Sequence, residues 1–322
     1  MLPATHKSLN HTFTHAGGIG VLRSFKEIFA VVRKQETKTI AVAVAQEAEI
    51  LKALWDAQDM GLARSILVGE QKKIESAAVD MGMPLQRFTI IDEPDPNLAV
   101  QQAVALVREG RADVLMKGLI GTATLLRAVL NKEKGLRTGR VLSHVAAFEA
   151  PGYDRLFLLT DAAMNIAPDL QRKVELIKNA AMVAHSLRIA KPKVAPICAV
   201  ELVNTEMPAT VDAALLAKMA DRGQLPGVDL DGPLALDNAV SPHAAQCKGI
   251  VSPVAGKADI LLAPSIEVGN VLYKTLHYFC PGVKIAGIVT GARVPIVLTS
   301  RADSHEIKLH SIALSLLLDP KA

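Results

Sequence analysis

Short apolar runs alternate with segments of helical periodicity through the first third of the chain, and this alternation limits the fold more than any other feature. The runs Thr39–Ala45, Ser65–Val68, Phe88–Ile91 and Asp113–Met116 are each the length of one strand. Between them lie helical stretches at 46–60, 71–81 and 97–108. In the last, Val100, Ala103, Val104 and Val107 fall at i, i+3, i+4 and i+7, with Asn97 placed as a cap and Gly110 as a stop. Strands that are apolar throughout need cover on both faces, and crossover helices provide it. The reading is therefore an α/β fold with a doubly wound, mostly parallel sheet. Half of the residues are hydrophobic but only 3% are aromatic, so the core must be built from Ala, Val, Leu and Ile. The 322 residues suffice for two domains.

A doubly wound sheet binds ligands beyond the C-terminal ends of its strands, so polar residues at those ends are candidate site residues. Lys117-Gly118 through Gly121-Thr122 follows the fourth apolar run. Its glycines let backbone approach a ligand, and Thr122 or Thr124 can cap a helix carrying Arg127. The GxxxxGK[ST] spacing of a Walker loop is missing. Extended runs Val141–Phe148 and Leu156–Thr160 come next, and Thr160, Asp161 and Asn165 occupy a loop before a helix over 168–187. After a strand at Ala258–Pro264, Ser265, Glu267 and Asn270 open another helix, where Glu267 reads equally as a capping residue and as a catalytic carboxylate. The last such site follows the runs Ile285–Val289 and Pro295–Thr299. There Ser300, Arg301 and Asp303 precede a helix starting at Ser304, with Ile307, Ile312, Leu316 and Leu317 as core positions. A hydroxyl, a guanidinium and a helix start together suit an anion. Four polar strand-end loops, two of them basic, favour a cleft for an anionic ligand between two domains.

Other classes are disfavoured. The net charge of +4 carries no basic block and no aromatic interleaving, so no nucleic-acid partner is expected. No apolar run approaches the ~18 residues of a membrane span, and the first 20 residues lack a signal-peptide core. Cys198, Cys247 and Cys280 have no metal-ligand spacing and point to a reducing compartment, so a cytoplasmic location is expected. Residues 1–22, with His6, His11 and His15, read as a flexible leader. His305 and His310 are five apart and fall on different helix faces, which argues against zinc. His144 and His243 read as structural or surface residues.

The strings ADVLMKGLIGTATLLRAVL, LLTDAAMNIAPDL, DGPLALDNAVS, KADILLAPSIEVGNVLYKTL and GARVPIVLTSRADSHEIK resemble the phosphate acetyl/butyryltransferase family, in order from about Lys38 to the C-terminus. The chain is more similar to the phosphotransbutyrylase-like branch than to the main phosphotransacetylases. The resemblance implies two α/β/α domains around a cleft, an arrangement like that of isocitrate and isopropylmalate dehydrogenases. It divides the chain into 23–153 with 290–322, the C-terminal segment crossing back, and 154–289. It also implies a homodimer or higher homo-oligomer. The implied reaction moves an acetyl or butyryl group reversibly between coenzyme A and inorganic phosphate, giving acyl phosphate, with CoA as substrate and no metal.

Position by position, Ser300 and Arg301 fall on the family's Ser-Arg pair and Arg127 on the arginine after the first glycine-rich loop. Lys117, Gly118, Gly121, Thr122, Thr160, Asp161, Asn165, Glu267, Asn270 and Asp303 are the expected substrate-binding set. Two positions depart from the family pattern. Its aspartate seven residues after the serine, the base for the CoA thiol, is Ile307 here, and its loop cysteine is Ala162. Glu306 is the first choice as substitute base and Asp303 the second, although neighbouring helix positions point about 100° apart. Two other readings compete: an NAD(P)-dependent decarboxylating dehydrogenase with a similar cleft, and a non-catalytic module binding CoA or acyl phosphate.

Overall fold

The computed structural model describes residues 20–318, so the His-containing leader lies outside the described residues up to position 19. The chain opens with α1 (Phe25–Val32), capped by Ser24, and then follows the expected alternation. The order is β1 (Lys38–Ala43), α2 (Ala48–Asp59), β2 (Ala63–Gly69), α3 (Gln71–Val79), β3 (Thr89–Asp92), α4 (Pro96–Arg108), β4 (Val114–Lys117) and α5 (Thr122–Val129). Next come β5 (Ser143–Glu149), β6 (Phe157–Thr160), α6 (Leu170–Ser186), β7 (Lys193–Pro196), α7 (Pro208–Asp221), β8 (Asp229–Leu230), α8 (Leu236–Val240) and α9 (Pro242–Cys247). The chain ends with β9 (Ile260–Leu262), α10 (Ile266–Phe279), β10 (Lys284–Thr290), β11 (Ile296–Val297) and α11 (His305–Leu317). Asp95, not Asn97, caps α4: its carboxylate accepts from Asn97 N at 2.7 Å and Leu98 N at 3.0 Å. The reason is Pro96, which suits the first helical position and keeps the residue before it extended.

All eleven strands form one sheet in the order β3-β2-β1-β4-β11-β10-β5-β6-β9-β7-β8. The flanks are parallel as expected, but the centre is not. β10 runs antiparallel to both β11 and β5, and β5 antiparallel to β6. Strand direction therefore differs between the flanks, and the polar loops expected on a common side split into two pairs beyond opposite ends of the strands. The β10–β11 reversal uses Gly291, whose φ of +96° is a left-handed conformation that a side chain resists. The last strand crosses back into the first half of the sheet, where Ile296 pairs with Leu115 and Val297 with Met116.

Alternation along each strand sorts the core by face. On one face a single cluster runs the width of the sheet, taking Ile40, Met116, Val145, Leu158 and Ile260 with residues of α2, α6 and α11. On the other face the apolar cover is in two parts. Ala41, Leu115, Val289 and Ile296 pack beneath α4 and α5. Ala146, Phe148, Leu159 and Ile285 pack with Tyr273 of α10 and Ala239 of α8. Between these parts, on β5 and β10, stand His144 and Gly287. The interruption in the apolar cover is the feature that positions the site.

α11 closes the fold against α1, where the His310 ring stacks on Phe25 at 4.2 Å and on Phe29 at 5.7 Å. Burial, with Lys284 nearby, lowers the His310 pKa to about 4. The folded value lies below the unfolded ~6.5, so between these limits the unfolded chain binds the extra proton. Stability is then lost as pH falls from 6.5 through 4, by up to about 3 kcal/mol from this group. His310→Phe keeps the stacking and removes the titration. Urea midpoints measured across this pH range should fall less steeply for the variant than for the wild type.

Candidate active site

Because β11 lies beside β4, the turn Ser300–Asp303 stands next to Lys117-Gly118. The β4 end is stitched to β1 by Gly118 N to Ala43 O at 2.8 Å and Leu119 N to Val44 O at 2.7 Å. A Cβ on Gly118 would collide with those same two carbonyl oxygens, so only glycine allows the approach. Asp303 is buried and accepts the Ser300 N–H at 2.7 Å on Oδ2. Its other oxygen, Oδ1, is buried without a hydrogen-bond partner. Lys308, only 1% exposed, locks the turn from beneath. Its Nζ donates to the Asp303 and Ser300 carbonyls and pairs with Glu47 Oε1 at 3.4 Å.

Lys117 is buried as well, and its Nζ donates to Gly118 O at 3.2 Å and Ile120 O at 3.4 Å. Burial lowers its pKa, Arg301 and Lys308 lower it further, and Glu47 and Asp303 oppose the shift. Three cations thus meet two carboxylates, leaving positive charge at a turn where Ser300 and Arg301 are exposed. This is the electrostatics of an anion site.

The interruption in the apolar cover continues the site toward the other half of the sheet. A Cβ on Gly287 would lie 2.9 Å from His144 Nε2, so the glycine makes room for this ring. The ring meets Tyr273 edge-on at 6.1 Å. Burial lowers the His144 pKa against the opposing charges of Asp161 and Asp303, and its Nδ1 is buried without a partner. The Tyr273 hydroxyl is pushed up by burial and by Asp303. Ile307, where the family pattern has its aspartate, is buried in the same apolar cluster as Tyr273 and Phe148.

The remaining candidates are placed as follows. Asp161 is saturated: Oδ1 accepts from Ala163 N and Met164 N, and Oδ2 from His144 N and Asn165 Nδ2. Thr160 donates to His144 O, Asn165 also to Leu142 O, and Asn270 to Ala162 O. These side chains organise the loop that carries them. Gly269 permits its contact with α10, since a Cβ there would collide with Asp161 O. The Glu267 pKa is lowered chiefly by a hydrogen bond from the Ser265 side chain, and Ser265, the N-cap of α10, makes no side-chain cap bond to the helix. Gly121 is the N-cap of α5, ahead of Thr122. Arg127 lines a groove of about 770 Å³ between α4 and α5, together with Asn97, Arg108 and Lys134. Glu306 is exposed, and its charge registers on His310. The structure therefore gathers Ser300, Arg301, Asp303, Lys117 and Gly118, and sets the Asp161 loop on the far side of His144. The sequence reading missed Glu47, Lys308 and Tyr273. A lysine between Ile307 and Ser311, on the buried face of a helix, was the available signal for Lys308.

The chain is similar to several known proteins over most of its length. A family model described as phosphate acetyl/butaryl transferase matches residues 24–99 and 95–316. A phosphate butyryltransferase from Clostridium acetobutylicum is 53% identical over 298 residues, covering 92% of this chain and 99% of that one. A phosphate acetyltransferase from Rhizobium meliloti is 43% identical over 293 residues, covering 91% and 92%. The crystal structure of a branched-chain phosphotransacylase from Enterococcus faecalis V583 matches with a TM-score of 0.79 at 36% identity, covering 87% of this chain and 98% of that one.

The Asp161 network carries its own test. Asp161→Ala removes the acceptor from the buried donors of His144 and Asn165 and from the less buried N–H groups of Ala163 and Met164, and should cost about 3 kcal/mol in urea unfolding. A variant as stable as the wild type would show that the loop does not depend on this carboxylate.

Proposed function

Since the chain belongs to the phosphate acetyl/butaryl transferase family, we propose that it transfers a short acyl group, acetyl or butyryl, reversibly between coenzyme A and inorganic phosphate, giving acyl phosphate. The observation that carries this reading is the Ser300–Asp303 turn closed against Lys117, which joins positive charge to a buried carboxylate oxygen with no partner. Arg301 and Lys117 hold the phosphate. Toward acyl-CoA, a carboxylate takes the thiol proton, because a thiol of pKa about 8.5 is only a few per cent thiolate at neutral pH. The sulfur attacks the acyl carbonyl, the carbon–oxygen bond to phosphate breaks, and phosphate departs onto the cations. Ser300 Oγ accepts from Ala302 N, which leaves its proton to donate to the developing oxyanion.

Asp303 is the better base of the two candidates. It is buried beside Lys117 with one free oxygen, whereas Glu306 is exposed on the side of His310. CoA serves as substrate, and the proposed reaction uses no metal. The reading includes lobes of 23–153 with 290–322 and of 154–289, arranged as in the isocitrate dehydrogenase class, with Ala146, Phe148 and Ile307 of the first packing into the apolar cluster of the second. A homodimer in the cytoplasm completes the reading. Exposed Val271, Tyr278 and Phe279 on α10 offer an apolar surface for it, and light scattering on the purified protein decides the stoichiometry.

The deciding experiment is phosphate-dependent CoA release from acetyl-, propionyl- and butyryl-CoA. Arg301→Ala should lower turnover by about 10² or more with the fold intact. Asp303→Asn should cost about 10² or more and flatten the pH–rate profile, while Glu306→Gln stays within about two-fold of wild type. Full activity in Asp303→Asn removes this residue as the base. No release from any of the three thioesters removes the transferase reading itself.

A further inference from the structure

Lys117 holds an uncommon position for a lysine. It ends β4, buried, one residue beyond the pairing of Met116 with Val297, so its side chain and the Ser300–Arg301 turn share one strand end. Among the described residues it forms no ion pair. Its ammonium donates only to two backbone carbonyls, at 3.2 Å and 3.4 Å, both long for a charged donor. Glu47, whose charge acts on Lys117 more than that of Asp303, is paired with Lys308. The amine is thus held by its burial and not by a counter-ion.

We propose that Lys117 is acylated on Nζ by the acyl phosphate bound at the Ser300–Arg301 turn, a self-modification that switches the site off. This rests on the transferase reading, which brings an activated acyl group to this strand end. Acyl phosphates are acylating agents, and the transferase reading delivers the acyl group to the strand end that Lys117 shares with the Ser300–Arg301 turn. In the step, the Nζ lone pair forms a bond to the carbonyl carbon and the bond from that carbon to the phosphate oxygen breaks. The phosphate leaves with the proton the nitrogen gives up. The product is a neutral amide and inorganic phosphate, and no further reactant is needed. Burial, Arg301 and Lys308 all raise the share of free amine at neutral pH. CoA competes with the amine for the acyl group, so the modification is favoured when acyl phosphate accumulates and CoA is scarce. Acylation removes one of three positive charges from the turn, which weakens phosphate binding.

The test incubates the purified full chain with synthetic acetyl phosphate or butyryl phosphate, without CoA, and follows each lysine by peptide mass spectrometry. Lys117 should gain one acyl group roughly ten-fold or more faster than exposed Lys52 and Lys132. Its rate should rise at lower pH than theirs, CoA-releasing activity should fall in step with its occupancy, and added inorganic phosphate should protect it. Lys117→Arg should lose the modification at this position and leave Lys52 and Lys132 labelled. Labelling confined to exposed lysines, or at Lys117 no faster than at them, overturns the proposal. So does loss of activity without modification of Lys117. The labelling is read without turnover, so it stays separate from the CoA-release assay that decides the transferase reading.

Discussion

The site depends on a very short piece of β-ladder. Two residues, Ile296 and Val297, hydrogen-bond beside Leu115 and Met116 and return the end of the chain to a strand laid down nearly two hundred positions earlier. Without this pairing, Ser300, Arg301 and Asp303 would have no fixed relation to Lys117. The ladder is brief, but both flanks hold it: β10 pairs with it on one side, and α11 packs behind it against α2, α1 and β10. A non-local contact of this kind costs loop-closure entropy, and the buried face of α11 supplies the compensating apolar burial.

Burial sets the chemistry of the groups that meet there. In water Lys117, Lys308, Glu47 and Asp303 would be four ordinary surface charges. In the folded chain they share a space with little solvent, where each field reaches further. The structure answers with unequal commitments. Lys308 is fully used, tying two carbonyls and a carboxylate. Asp303 is half used, with one oxygen fixed on Ser300 N and one left over. Lys117 is the least satisfied, and its proton is correspondingly less firmly held. A rigid turn carrying groups that are not fully satisfied is suited to chemistry in which a proton and a phosphate both change hands.

Much of this was legible in the sequence. The alternation of apolar runs and helical periods gave the parallel flanks, and Ser304 was readable as the start of the last helix, where it is the cap. The antiparallel centre was not. β5 and β10 are apolar on both faces, as a parallel strand would be, because both faces of the sheet are covered. The split of the polar loops follows from that reversal and was hidden with it. Asp161 and Asn165 were read as substrate-binding residues, and their hydrogen-bonding capacity is spent inside their own loop and on His144. Sequence identifies residue types, and a saturated carboxylate cannot be told there from a free one. Glu306 and Asp303 illustrate the same limit, since three positions separate a solvent-facing acid from a buried one.

Ile307 ties these threads together. The side chain lies in the cluster of Tyr273, Phe148 and Ala146, at the margin of the interruption over His144 and Gly287. A carboxylate at that position would be desolvated by the aromatic ring and would stand close to the charge of Asp303, which adds to the effect of burial in raising the Tyr273 pKa and, after Asp161, opposes the lowering at His144. Two acids there would repel, and one would take up a proton. With isoleucine the cluster closes on an aliphatic side chain and the single negative charge moves onto the turn, where the Ser300 N–H fixes its direction. The departure from the family pattern at 307 is therefore best understood as one half of a pair of choices, of which the buried Asp303 is the other.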